Sequence, residues 1–169
     1  MIPRSWTWRG AGTIRSRGRR ESSQRTVAGR SRHDACVQTK YRADAAARIA
    51  ELARGRRLAI CYPIAFERMY STRSPDLVRA ELAAQTAGTI AHLSLTTAAE
   101  QRALEVQARL SDRGYFRAYR MPDLLIAAVA EAAGALLMHY DHDFDLIAGI
   151  TRQPAEWIIP RGAGHRNER

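Results

Sequence analysis

The chain has 169 residues, enough for one domain of ordinary size with its own core and too few for a second full domain. Its net charge is +10, but nine of the 27 basic residues and only one of the 17 acidic residues fall within residues 1–33, so the remainder is close to neutral. The two cysteines, Cys36 and Cys61, lack the paired spacing of a disulfide framework or a zinc site, and no apolar window reaches the ~18 residues of a membrane span. A soluble cytoplasmic protein is expected.

Residues 1–33 are rich in Arg, Ser and Gly and carry no helical or strand period, so a disordered basic extension is expected there. Three origins stay open for it: a nucleic-acid-binding arm, an organelle transit peptide, or sequence from a wrong start or reading frame. The ordered domain is expected over residues 34–161, with a polar tail at 162–169.

Regular patterning begins at Ala43. Residues 43–52 are Ala-rich, with Ile49 and Leu52 on one helical face and Gly55 placed to stop the helix. The apolar run 58–62 before Pro63 predicts a buried strand, and residues 64–70 and 75–86 predict helices, the second opened by Ser74 and Pro75. Residues 89–95 predict a strand. Thr97-Ala-Ala-Glu100 fits a capping box, and Ala99, Ala103, Val106 and Leu110 form one apolar stripe on the helix that follows, which ends near Gly114. A helix over 122–133, a strand over 135–140 and a short strand over 156–159 complete the pattern. Helices of ordinary length between short apolar strands predict an α/β/α sandwich around a mostly parallel sheet.

Ligands of such sheets collect beyond the carboxyl ends of the strands. Single acids fall there: Glu67 after the 58–62 strand, Asp123 in the first turn of the 122–133 helix, and Asp141 and Asp143 just after the 135–140 strand. Each has an ordinary reading as a solvated acid, a turn former or a partner of the helix dipole. Together they come from three separated segments to one edge. Clustered carboxylates repel unless a cation lies between them, and hard oxygen donors suit Mg²⁺ or Mn²⁺. The histidines make no rival site, because His139 and His142 sit at a strand end without further zinc ligands in reach. Neither a nucleophile elbow nor a phosphate-binding glycine loop occurs.

Pro122-Asp-Leu-Leu-Ile-Ala-Ala, His139-Tyr-Asp-His-Asp-Phe-Asp-Leu-Ile-Ala and, upstream, Arg102-Ala-Leu-Glu-Val-Gln resemble the PIN-domain ribonucleases of the VapC toxin type, over residues 57–162. The resemblance implies a PIN-like fold and a metal-dependent endoribonuclease, the toxin of a toxin–antitoxin pair. It implies Mg²⁺ or Mn²⁺ as cofactor, RNA as substrate, an antitoxin partner and a homodimer. It also implies four acids: one ending the first strand, one after the second strand, the Asp of the Asp-Leu-Leu-Ile-Ala helix and an Asp before Phe. Glu67, Asp123 and Asp143 match these as catalytic and metal-holding residues, with Asp141 beside them. Asp34 takes the first position, but Arg30-Ser-Arg-His33 replaces the apolar strand before it and Cys36 stands where the family has Ser. Burying those charges would cost several kcal/mol. Either that segment is arranged otherwise, or the chain is an impaired PIN-like protein that only binds a partner protein or RNA. Arg113, Arg117 and Arg120 precede Asp123, and two readings stay open for them: steering an RNA backbone, or an ordinary solvated loop.

Overall fold

The computed structural model describes residues 25–28, 39–72, 74–88 and 90–161. Five short strands form one parallel sheet in the order β3-β2-β1-β4-β5. In chain order the elements are β1 (Thr26–Ala28), α1 (Thr39–Arg54), β2 (Leu58–Cys61), α2 (Tyr62–Tyr70), α3 (Pro75–Thr86) and β3 (Ala91–Leu93), then α4 (Thr97–Asp112), α5 (Met121–Ala132), β4 (Leu136–His139), α6 (His142–Thr151) and β5 (Ala155–Trp157).

A parallel sheet must be covered on both faces, so its inner strands read as unbroken apolar runs. Leu58, Ala59, Ile60 and Cys61 are all buried, as are Leu137, Met138 and His139. One face packs on α4, α5 and α6 through Val106, Leu110, Ile126, Leu137, Phe144 and Ile147. The other carries a smaller cluster of Leu52, Leu58 and Met138, closed by Ile49 and Ala53 of α1. Burial raises the Cys61 thiol to about 11, which makes it an inert core group.

The central strand corrects the expectation for the first 33 residues. Thr26-Val-Ala lies within the stretch expected to be structureless, yet it pairs with β2 through Thr26 and Leu58 and with β4 through Thr26 and Leu136. Thr26 and Val27 are fully buried. Arg25 and Gly29 flank a run of three residues, too short to show a period, and the strand lies four residues before Arg30-Ser-Arg-His33, the position the resemblance implies for it. Among the described residues no charge is buried in the sheet centre. Asp34 and Cys36 lie outside the described residues, as does the tail at 162–169.

Other boundaries move for local reasons. The strand expected over 58–62 ends at Cys61, because Pro63 suits the first turn of a helix and α2 starts at Tyr62. The expected capping box is displaced by one residue: Thr96 caps α4, its hydroxyl accepting from the Ala99 amide at 3.2 Å. Helix α6 was not anticipated; Asp141 caps it. The 89–95 strand shortens to Ala91–Leu93, and the strands over 135–140 and 156–159 shorten to β4 and β5. Gly134 at φ +59° ends α5, with the Ala135 amide donating back to the Ala130 carbonyl, and this turn aims β4 into the sheet. Arg102 of α4 bonds both carboxylate oxygens of Glu131 on α5, at 2.8 and 3.0 Å, which pins the two helices together. Among the described residues no helix is long and apolar enough to cross a membrane.

Candidate active site

The strand order reverses its growth at β1: β2 and β3 lie to one side, β4 and β5 to the other. Chains leaving adjacent strands then diverge to opposite sides and open a crevice at their carboxyl ends. Glu67 enters that crevice from α2, Asp123 from the first turn of α5, and Asp141 and Asp143 from the start of α6.

Asp123 is the most constrained of the four. Its side chain is 1 % exposed, and Oδ2 accepts from the Arg120 backbone amide at 3.2 Å, tying the helix start to its own third residue. Its other oxygen, Oδ1, is buried with no hydrogen-bond partner. Burial pushes its pKa up from 3.8 to about 6; Arg120 and the amide bond oppose the rise, while Asp141 and Asp143 add to it. Asp141 caps α6, accepting from the Asp143 amide at 3.2 Å, so the two acids are held in fixed relation.

Arg120 stands among these acids. Its Nη1 lies 3.8 Å from Glu67 Oε1, its Nε 3.8 Å from Asp123 Oδ2 and its Nη2 3.6 Å from Asp141 Oδ2. The sequence placed Arg120 only among loop residues that could meet RNA. The signal available was its spacing, three residues before Asp123, which faces the two side chains toward each other across a helix N-terminus. Three of the predicted acids are thus brought around one guanidinium, with Asp143 beside Asp141. Among the described residues no three His, Cys, Asp or Glu side chains converge closely enough to hold an ion as they stand. Asp34 is outside the described residues.

His139 serves packing. His139 is buried against Phe144 and Trp157, with ring centroids 5.4 and 5.1 Å away, and burial lowers its pKa so that it stays neutral. Asp145, unmarked in the sequence reading, accepts from the Trp157 indole at 3.0 Å and from His142, holding β5 against α6.

A parallel sheet in this order, with acids delivered to its switch point from α2, α5 and α6, is the architecture of a PIN domain. Residues 26–150 match the PIN domain family, and the chain belongs to it. Its relatives are of the VapC type: it is 56 % identical over 61 residues to ribonuclease VapC21 of Mycobacterium tuberculosis, covering 36 % of this chain and 44 % of the relative. It is 49 % identical over 67 residues to ribonuclease VapC51, covering 40 % and 48 %, and 37 % identical over 107 residues to ribonuclease VapC18, covering 62 % and 77 %, both of M. tuberculosis. The chain therefore spans less than half the length of the first two. Among solved structures, VapBC2 from Rickettsia felis bound to a promoter DNA fragment superposes with a TM-score of 0.58 at 19 % identity, covering 78 % of this chain and 97 % of that one. VapBC from Salmonella typhimurium bound to DNA gives 0.58 at 16 %, covering 80 % and 99 %. The fold is shared with both.

Proposed function

We propose that this chain is a divalent-metal-dependent endoribonuclease, the toxin of a toxin–antitoxin pair, with Glu67, Asp123, Asp141 and Asp143 as the residues that would hold Mg²⁺ or Mn²⁺. The observation that carries this reading is the Asp123 carboxylate: a wholly buried acid with one oxygen left without a partner, at the crevice of the sheet, sharing the Arg120 guanidinium with two further acids. A buried polar atom without a partner costs free energy and persists where a ligand completes it. Oxygen-only donors fit a hard divalent ion. Such an ion would supply charge neutralisation at the phosphoryl group and a lowered water pKa.

The chain's own part is orientation. The Arg120 amide fixes one Asp123 oxygen and so aims the other into the crevice; the Asp143 amide does the same for Asp141. The exposed stripe Tyr62, Phe66 and Tyr70 on α2, with Leu77 and Leu82 of α3, supports a protein partner, for which an antitoxin covering the site is the fitting class. Homodimerisation is part of the same reading.

One observation favours a second reading, a weakened enzyme or a binding protein. β1 ends at Ala28 and is followed by Gly29 and Arg30, so no acid stands where the resemblance puts the first one; Asp34 comes six residues later. The test is Mg²⁺-dependent cleavage of RNA by the chain and by variants Asp123→Asn and Gly29→Asp. Cleavage lost in EDTA and in Asp123→Asn is expected, with Gly29→Asp about tenfold or more faster, since misplacing a reacting group by ~1 Å costs on the order of 100-fold. Cleavage that Asp123→Asn leaves intact would remove the proposed site.

A further inference from the structure

A guanidinium held by three acids at an N-cap can be a fixed part of the scaffold or a tenant of the space they enclose. The geometry points to the second: Arg120 is an internal counter-cation that occupies the ion's place between Glu67, Asp123 and Asp141, so that a divalent ion enters only by exchange with it. This inference rests on the metal-site reading above.

Arg120 begins from a rigid base. Its backbone amide donates to Asp123 Oδ2 and its carbonyl accepts from the Asp123 amide at 3.1 Å, so the point from which the side chain departs is fixed. The side chain is held less closely. Its three nitrogens each face a different carboxylate, at 3.6 to 3.8 Å, and none of these approaches is a hydrogen bond. Nε is buried without a partner, as is Asp123 Oδ1 of the same carboxylate that Nε approaches. An arginine selected to bind one carboxylate engages it bidentately at about 2.7–2.9 Å, as Arg102 does with Glu131. Arg120 instead takes a central position that neutralises three acids and satisfies none.

Such placement is what a spherical charge would take, and it is weak for a planar donor fork. A divalent ion brings twice the charge and about 2.0–2.1 Å oxygen contacts for Mg²⁺, so it competes well for the same acids. It cannot share the space, because like charges this close repel strongly in a partly buried site. The expected balance is a chain that tolerates its acidic cluster without metal and binds metal less tightly than the acids alone would.

The test is Mn²⁺ titration by calorimetry on the full chain and on Arg120→Gln, Arg120→Lys and Arg120→Gln/Asp123→Asn, with melting in EDTA alongside. Arg120→Gln should bind Mn²⁺ about tenfold or more tightly than the unmodified chain, Arg120→Lys should lie between, and Arg120→Gln should melt lower in EDTA yet rise more on adding Mn²⁺. A positioning arginine predicts the reverse sign. Unchanged or weaker Mn²⁺ binding in Arg120→Gln, with binding still lost on adding Asp123→Asn, overturns the exchange and leaves the site standing. Binding in Arg120→Gln that survives Asp123→Asn, or no Mn²⁺ binding in any chain, removes the site itself and the exchange with it.

Discussion

β1 and β4 lie side by side in the sheet and are built in opposite ways. β4 emerges from α5 through a glycine turn, is nearly all buried, and leads straight into Asp141. β1 has three residues, arginine and glycine at its flanks, and no acid at its carboxyl end, yet it is hydrogen-bonded along both edges. The difference teaches that the sheet centre is held by backbone pairing on both edges and the burial of short side chains, whereas the edge beyond β4 is marked by acids.

The sharpest way to break the comparison is at Val27. Val27→Asp places a carboxylate at a fully buried central position, and a loss of more than about 4 kcal/mol is expected, enough to remove the cooperative urea transition. Truncation gives the same contrast: removing residues 1–24 should leave the melting temperature near its original value, while removing 1–29 takes β1 and should unfold the domain. In the main core, Leu110→Ala on α4 should cost about 2–5 kcal/mol by the same measurement.

Asp123 sharpens the contrast in the opposite direction. Its folded pKa of about 6 lies above the 3.8 of the free group, so the folded chain binds the proton more tightly than the unfolded chain does. Stability is therefore lost as pH rises from about 4 to about 6, by up to about 3 kcal/mol. In EDTA, Asp123→Asn should melt higher than the unmodified chain at pH 7.5, and the gap should close by pH 4. A variant that melts lower at pH 7.5 would show the carboxylate to be a net stabiliser. The smallest effect is expected at Arg102→Ala, about 1 kcal/mol, because the Glu131 pair is partly exposed.

The C-terminal half was legible because its elements are long enough to display a period and their ends carry recognisable signals. The stripe Ala99, Ala103, Val106, Leu110 is buried as its spacing implied, and Pro122 and Gly134 bracket α5 nearly as expected. Asp123, Asp141 and Glu67 were legible as acids at one edge, since position after a strand can be read from the chain alone. β1 was not, because three residues show no alternation and its stability comes from partners far along the chain. Arg120 was underread for a related reason: the meaning of a cation depends on which carboxylates converge on it in space, and Glu67 and Asp141 are remote from it in sequence.

The pairing of Thr26 with Leu136 has a consequence for synthesis. β1 leaves the ribosome about 110 positions ahead of its β4 neighbour, a wait of roughly 5–20 s at ordinary elongation rates. Until then the sheet has an open central edge and α5 has no strand behind it. The crevice that gathers Asp123 and Asp141 thus forms only after β4 has emerged, so a nascent chain carries the separate acids well before it carries the edge that brings them together.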